Sequence, residues 1–140
     1  ACDLVVVGAS TTFALTEVRI GVAPAIISVP ILRRVAASRI AAAMLTGEAF
    51  DADEARSIGL VTHVTDDVDA TVGVLVDGIR AGAPRAVAET KRLLHTVGSM
   101  ERSTAFAAMG DLSNEMFSSD DAAEGMAAFV EKRPPHWAAR

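Results

Sequence analysis

Hydrophobic residues near the start of the chain follow the pattern of short buried strands. Residues 4–7 read Leu-Val-Val-Val, residues 11–15 form a second run, and Gly8-Ala9-Ser10 separates the two. Runs rich in β-branched residues and bounded by small ones favour strands, so we predict a strand in each run. An apolar strand at a free terminus would leave an unpaired edge. We therefore expect other strands to precede residue 1, with the chain beginning inside a domain.

The apolar pattern becomes helical after Pro24. Residues 25–35 are almost continuously apolar and are interrupted by Pro30, which indicates a buried helix that is broken or starts late. A second helix is predicted to begin at Ser38, whose hydroxyl suits an N-cap. It is predicted to end at Gly47, since glycine readily adopts the left-handed conformation that ends many helices.

A short helix and a strand follow. Asp51 and Glu54 have the spacing of a capping box, and Gly59 is placed to end the helix that they open. Residues 60–64 are predicted to form the next strand. Because strands and helices alternate up to this point, we predict an α/β arrangement for residues 1–65.

From residue 66 onward the pattern is almost entirely helical. Apolar residues recur at helical spacing in four segments, and each segment begins near a residue that suits the first turn of a helix. The predicted starts are Asp69, Pro84, Ser99, and Ser118 or Ser119. We therefore divide the chain into an α/β part, residues 1–65, and a helical part, residues 66–140.

Composition narrows the classes of function. The 140 residues are 51% hydrophobic and 22% charged, as in an ordinary globular domain. Eighteen acidic residues against 13 basic ones give a net charge of −5 with no basic stripe, so nucleic acid is not an expected partner. Cys2 is the single cysteine, which excludes an internal disulfide, and no segment has the roughly 18–20 apolar residues of a membrane span. A cytoplasmic location is expected.

Glu17 is the strongest candidate for chemistry. It is the only acidic residue between Asp3 and Glu48, and its neighbours are mostly apolar. A carboxyl group in such surroundings is poorly solvated and is suited to exchanging a proton. Two structural alternatives remain open, namely an ion pair with Arg19 and a turn carboxylate that accepts backbone N–H groups.

Other candidate residues are weaker. The three histidines have no partners at metal-ligand spacing, so no metal site is predicted. Lys132 and Arg133 could hold a phosphate, and Phe129 could cover an adenine or acyl group. Helix-dipole compensation explains the two charges equally well, and a place in the core explains Phe129.

Five segments, in order along almost the whole chain, resemble the enoyl-CoA hydratase/isomerase (crotonase) superfamily. Each segment alone is a weak signal, and their combination is specific. The segments are Ala1-Cys2-Asp3-Leu4-Val5-Val6, Phe13-Ala14-Leu15-Thr16-Glu17 with Gly21 and Pro24, Leu45-Thr46-Gly47, Ala55 with Ile58-Gly59-Leu60-Val61, and Glu124-Gly125-Met126-Ala127-Ala128-Phe129-Val130-Glu131-Lys132-Arg133-Pro134.

The resemblance implies an α/β fold in which residues 1–65 form the C-terminal part of a crotonase-like ββα spiral. Residues 66–140 would form a helical trimerisation region. The N-terminal half of the same fold would carry the oxyanion hole, which stabilises an enolate-like thioester, and a second catalytic glutamate. The assembly implied is a homotrimer or a dimer of trimers.

The resemblance also implies an acyl-CoA thioester as substrate, with no separate cofactor because the substrate carries its own CoA. Glu17 matches the glutamate that exchanges a proton with the acyl chain. Pro24 and Ala25 match positions beside the acyl group, whereas Phe129 and Lys132 match positions near a neighbouring subunit's CoA. Hydration of an enoyl-CoA and a double-bond shift both fit.

Two departures from the family pattern bear on activity. Thr16 stands where the family commonly has Pro, and Ala25-Ile26-Ile27-Ser28 replaces a glycine-rich turn. Side chains in that turn would narrow the space beside the acyl chain. The alternative function is therefore a non-catalytic assembly fragment, or a pseudoenzyme that lacks the half bearing the oxyanion hole.

Overall fold

The computed structural model describes residues 2–139, so Ala1 and Arg140 lie outside the description. The chain divides into two compact units, Ala1–Gly73 and Val74–Arg140. This division falls within a helix, a few residues beyond the change that we predict at residue 65. The assignment of residues 1–65 to a spiral core and of residues 66–140 to a helical region remains a prediction.

Four short strands form two pairs in the first unit. Strand β1 (Val6–Gly8) runs parallel to β4 (His63–Thr65), with Val7 opposite Val64. Strand β2 (Thr12–Phe13) runs antiparallel to β3 (Phe50–Asp51).

The β1–β4 ladder begins later than we predict. The hydroxyl of Thr62 donates to the carbonyl of Val5 and accepts from the Val5 N–H, both at 2.8 Å. The N–H of Val5 is therefore bound by a side chain, whereas its carbonyl also accepts from the backbone N–H groups of Thr62 and His63. The predicted strands at residues 4–7, 11–15 and 60–64 are correct in kind, and their limits are wrong by one to three residues.

Three helices belong wholly to the first unit: α1 (Ala25–Leu32), α2 (Ala37–Thr46) and α3 (Ala52–Ser57). Pro30 lies inside α1, so the predicted break is absent. A proline removes one N–H donor from a helix. Hydrogen bonds on either side, from Ser28 N to the Pro24 carbonyl (3.0 Å) and from Val35 N to the Ile31 carbonyl (2.8 Å), keep the neighbouring turns closed.

The caps of these helices agree in part with prediction. Asp51 Oδ1 accepts from Glu54 N at 2.8 Å, which confirms the α3 cap. Gly47 ends α2 in the left-handed conformation with φ of 68°, as predicted. The predicted Ser38 cap is wrong, because α2 starts at Ala37 after an Ala36 without a capping side chain.

The core of the first unit gathers side chains from the strands and all three helices. Val35, Ile40 and Ala55 are almost completely buried. The rings of Phe13 and Phe50 stack with centroids 5.5 Å apart, joining β2 to β3. The remaining buried members of this cluster are Leu15, Ile31 and Val61.

Four longer helices make up most of the rest of the chain. They are α4 (Val68–Arg80), which crosses the boundary between the units, α5 (Pro84–Thr96), α6 (Arg102–Phe117) and α7 (Asp120–Glu131). Short 3₁₀ turns follow at Val97–Ser99 and His136–Ala139.

Two of the four predicted starts are confirmed here. Pro84 occupies the first turn of α5, and Ser119 caps α7 through the Ala122 N–H. Asp67 bonds the Ala70 N–H of the first turn of α4 in place of Asp69, and Glu101 caps α6 in place of Ser99.

Candidate active site

Glu17 begins a 3₁₀ turn, Glu17–Ile20, and residues 14–16 separate this turn from β2. The turn is closed by hydrogen bonds from Arg19 N to the Thr16 carbonyl and from Val22 N to the Glu17 carbonyl, both 3.0 Å. Gly21 ends it with φ of 78°, a conformation that glycine adopts without strain. The backbone that carries the carboxylate is therefore defined by local bonds.

The Glu17 side chain lines an apolar cavity of about 440 Å³ inside the first unit. Among the described residues that line it, Glu17 is the only one with an ionisable side chain. The others are Val5, Phe13, Ala14, Leu15, Ile27, Ile31, Phe50, Leu60 and Val61. A mostly apolar cavity with one polar group is typical of small-molecule sites.

One carboxylate oxygen of Glu17 is buried without a partner. Its Oε2 is inaccessible to solvent and has no hydrogen bond to any described residue. Buried polar atoms are normally paired, and an unpaired one is costly, so each exception calls for an explanation. Because Glu17 also lines the apolar cavity, its carboxyl group is placed to exchange a proton with a bound molecule.

Arg19 does not neutralise this oxygen. Its Nε donates instead to the Thr46 carbonyl at 3.1 Å, at the carboxyl end of α2. The arginine side chain lies so close to Gly47 that a Cβ there would be 2.9 Å from Nε. The contact holds the Glu17 turn against the end of α2, and of the two structural alternatives for Glu17 the ion pair with Arg19 is not formed.

After the turn, the side chain that lines the cavity is that of Ile27, whereas Pro24 and Ala25 are the residues expected there. Pro24 is half-buried and Ala25, the first residue of α1, is exposed. Ile27, in the first turn of α1, lines the cavity that Glu17 lines. The sequence did not single out Ile27 within its apolar run, since the pattern does not indicate which of several isoleucines faces inward.

Phe129 and Lys132 belong to the second unit. Phe129 is 85% exposed, so a place in the core is wrong. It lines an apolar groove of about 560 Å³ together with Trp137 and Arg133. Lys132 is exposed and ends α7 in the left-handed conformation with φ of 54°.

Arg133 is already engaged by acidic groups. Its two terminal nitrogens donate to the carboxylate oxygens of Glu124 at 2.7 and 2.8 Å, and its Nε contacts Glu131. The hydrogen bond from Arg133, helped by the backbone N–H of His136, lowers the pKa of Glu124 to about 2. Lys132 is therefore the better placed of the two basic residues to meet a phosphate.

The described residues contain neither a metal-ligand cluster nor a helix that could span a membrane. No group of three or more His, Cys, Asp or Glu side chains among residues 2–139 could hold a metal ion. Within the same residues, no helix is long and apolar enough to cross a membrane. His63 bonds the Thr62 hydroxyl through Nδ1 at 2.9 Å, which gives it a structural contact.

Comparison with known proteins gives one consistent result. Residues 1–140 match the family described as Enoyl-CoA hydratase/isomerase. A putative enoyl-CoA hydratase of Thermus thermophilus is 32% identical over 139 residues, covering 98% of this chain and 55% of that protein. Mevalonyl-coenzyme A hydratase of Aspergillus fumigatus is 34% identical, covering 97% of this chain and 52% of that protein.

The solved structures agree. The crystal structure of an enoyl-CoA hydratase/isomerase from Marinobacter aquaeolei matches with a TM-score of 0.89 at 31% identity, over 97% of this chain and 53% of that one. The chain thus spans about half the length of the relatives it matches. The predicted crotonase-type α/β fold is confirmed by this similarity. Because the family match extends over the whole sequence, the chain belongs to the enoyl-CoA hydratase/isomerase family.

Proposed function

We propose that this chain is part of an acyl-CoA hydratase or isomerase, a lyase-type enzyme that works through an enolate-like thioester. Glu17 is its proton donor and acceptor. The observation that carries the proposal is the buried, unpartnered Oε2 of Glu17 beside an apolar cavity. The family match and the names of the relatives support an acyl-CoA thioester as the substrate class.

The proposed chemistry depends on proton transfer between Glu17 and carbon atoms of the acyl chain. In hydration, a base takes a proton from water while the water oxygen bonds to the β carbon, and the electrons of the double bond move toward the thioester oxygen. The resemblance assigns the role of this base to the second glutamate, in the N-terminal half. Glu17 then gives a proton to the α carbon. In isomerisation, Glu17 removes a proton from one carbon and returns it two positions along the chain. In both reactions the negative charge on the thioester oxygen requires hydrogen-bond donors.

The resemblance to the family is the basis on which we assign this chain to one half of the fold and the other catalytic groups to the other half. We propose that the chain is the C-terminal half of the relatives' fold, an assignment that rests on the order of its motifs. The matched length of about half is compatible with it. The oxyanion-hole donors and the second glutamate then belong to the N-terminal half.

Substrate binding is proposed to involve four further residues. Pro24 and Ala25 lie just ahead of Ile27, which lines the Glu17 cavity. Phe129 and Lys132 are exposed, as contact with a neighbouring subunit's CoA requires. A homotrimer or a dimer of trimers in the cytoplasm, with no separate cofactor, completes the proposal.

The experiment is crotonyl-CoA hydration by the full-length protein, in which both halves of the fold are present. Glu17→Gln keeps the size of the side chain and removes its proton exchange, so kcat should fall by about 100-fold or more. Glu48→Gln changes an exposed glutamate and serves as the control. A loss of less than about tenfold for Glu17→Gln would reject the catalytic role.

A non-catalytic assembly role is the alternative. It is favoured by the side chains of Ala25 and Ile27, where the family pattern has a glycine-rich turn, because Ile27 occupies part of the cavity wall. A full-length protein that binds acyl-CoA and turns over neither 2-enoyl nor 3-enoyl thioesters would support this alternative.

A further inference from the structure

Two adjacent isoleucines in the first turn of α1 have different surroundings. Ile27 is 41% exposed and lines the Glu17 cavity, whereas Ile26 is 91% exposed and is not among the residues that line it. The two side chains are chemically identical and lie on the same turn. Of these two isoleucines, Ile27 is therefore the one that can limit what occupies the space beside Glu17.

Ile27 is less tightly packed than most of the other large residues that line the Glu17 cavity. Ile31, Phe50 and Val61 are buried members of the core. Phe13 is stacked on the Phe50 ring. Removing any of these side chains would disturb the interior of the unit. Ile27 stands at the edge of the core, so its size can change while the core remains packed.

The part of the cavity that this chain forms is small. Its volume of about 440 Å³ lies toward the lower end of the range of about 300–1,000 Å³ found for small-molecule sites. A branched side chain at its edge restricts the acyl group more than a smaller residue would. A wall residue of this kind discriminates by size, because a longer chain meets it and a shorter one does not.

We propose that Ile27 sets the upper size of the acyl group and that the preferred substrates are short-chain acyl-CoA thioesters. This inference rests on the proposed function and names the substrate class of that same site. It makes Ile27 a specificity-determining residue, in contact with the acyl chain and without a part in proton transfer.

The test compares crotonyl-CoA with trans-2-octenoyl-CoA in the full-length protein. The wild type should favour the shorter substrate in kcat/KM. One methylene in an apolar pocket changes discrimination by about 10–200-fold, so Ile27→Ala should raise the octenoyl-to-crotonyl ratio by about tenfold or more. Ile26→Ala, the matched control, should leave the ratio unchanged. Ile27→Val should shift it in the same direction by less, which covers the case in which the alanine variant fails to fold.

Binding separates this inference from the proposed function. Butyryl-CoA and octanoyl-CoA undergo no hydration, so their dissociation constants can be measured by calorimetry whether or not the protein is active. Ile27→Ala should strengthen octanoyl-CoA binding relative to butyryl-CoA. Equal ratios in wild type, Ile27→Ala and Ile27→Val would overturn the role of Ile27. Absence of turnover with these binding shifts intact would instead overturn the proposed catalysis alone.

Discussion

At the scale of single residues, the position of Glu17 depends on a contact two residues away. The Arg19 side chain bonds the last carbonyl of α2 and lies over Gly47, which has no side chain to push it aside. A cation near the carboxyl end of a helix is also favoured by the helix dipole. Arg19 and Gly47 therefore fix the turn on which the proposed catalytic group is carried.

Gly47→Ala should destabilise the protein more than Gly21→Ala. Both glycines have positive φ, so each substitution carries the strain of about 1–2 kcal/mol expected for an L-residue in the left-handed region. Only at Gly47 would the new Cβ also meet Arg19, since nothing lies within 4 Å of a Cβ at Gly21. Urea denaturation of the two variants measures the difference in the free energy of unfolding.

The double variant provides the control for the Arg19 contact. Adding Arg19→Ala to Gly47→Ala should recover the part of the loss that the collision causes. Equal losses for Gly47→Ala and Gly21→Ala would contradict the proposed contact.

Glu17 and Ile27 differ in how far the sequence could reveal them. Glu17 stands out because it is an isolated carboxylate among apolar residues. Ile27 sits in a nearly continuous apolar run, where periodicity carries no information about direction. Its orientation depends on the start of α1 at Ala25 and on the packing of that helix, both of which are properties of the folded unit.

At the scale of elements, the end of α7 is held by a charged cluster. Glu124 receives two bonds from Arg133 and one from the backbone N–H of His136, at 2.7, 2.8 and 3.0 Å. These bonds join the helix to the segment that follows it. They also favour the ionised form of Glu124, whose pKa falls from 4.5 to about 2.

The cluster should make stability depend on pH in a defined window. Because the pKa of Glu124 is lowered on folding, its contribution is fully present above about pH 4.5 and is lost as the pH falls toward about 2. Glu124→Gln should therefore be less stable than wild type at pH 7, and the gap should shrink below pH 4.5. Chemical denaturation at several pH values measures this. A gap that stays constant down to pH 2 would contradict the account.

Element types could be predicted from the sequence better than element limits. The capping-box spacing with Glu54 identifies Asp51, and Ser119 is one of the two serines predicted to cap the last helix. Asp67 and Glu101 were missed, since another capping residue lies two positions away in each case and local sequence does not choose between them. The pairing of β2 with β3 joins residues almost forty positions apart, which no local pattern encodes.

At the scale of the whole molecule, large apolar side chains remain exposed in both units. Large contiguous patches of exposed apolar side chains commonly mark interaction surfaces. In the second unit the largely exposed residues include Leu94, Phe106, Phe117, Phe129 and Val130. We propose that these surfaces contact the other half of the fold, which this chain does not contain, and neighbouring subunits.

The full-length protein is expected to sediment as a trimer or hexamer at micromolar concentration. Phe129→Asp should shift the distribution toward smaller species, because it places a charge on an apolar surface that assembly would bury. Phe129→Leu keeps the side chain apolar and should assemble normally. Analytical ultracentrifugation distinguishes these outcomes. A wild-type protein that is monomeric at all concentrations would contradict the proposed assembly.

The most direct test of the central claim follows the proton itself. Butyryl-CoA incubated in D₂O with the full-length protein should gain deuterium at the α carbon, because Glu17 removes a proton there and returns a deuteron after exchange with solvent. Mass spectrometry measures the rate. The account predicts exchange by the wild type and a rate lower by about 100-fold or more in Glu17→Gln with butyryl-CoA binding retained. Exchange at the wild-type rate in Glu17→Gln would contradict it.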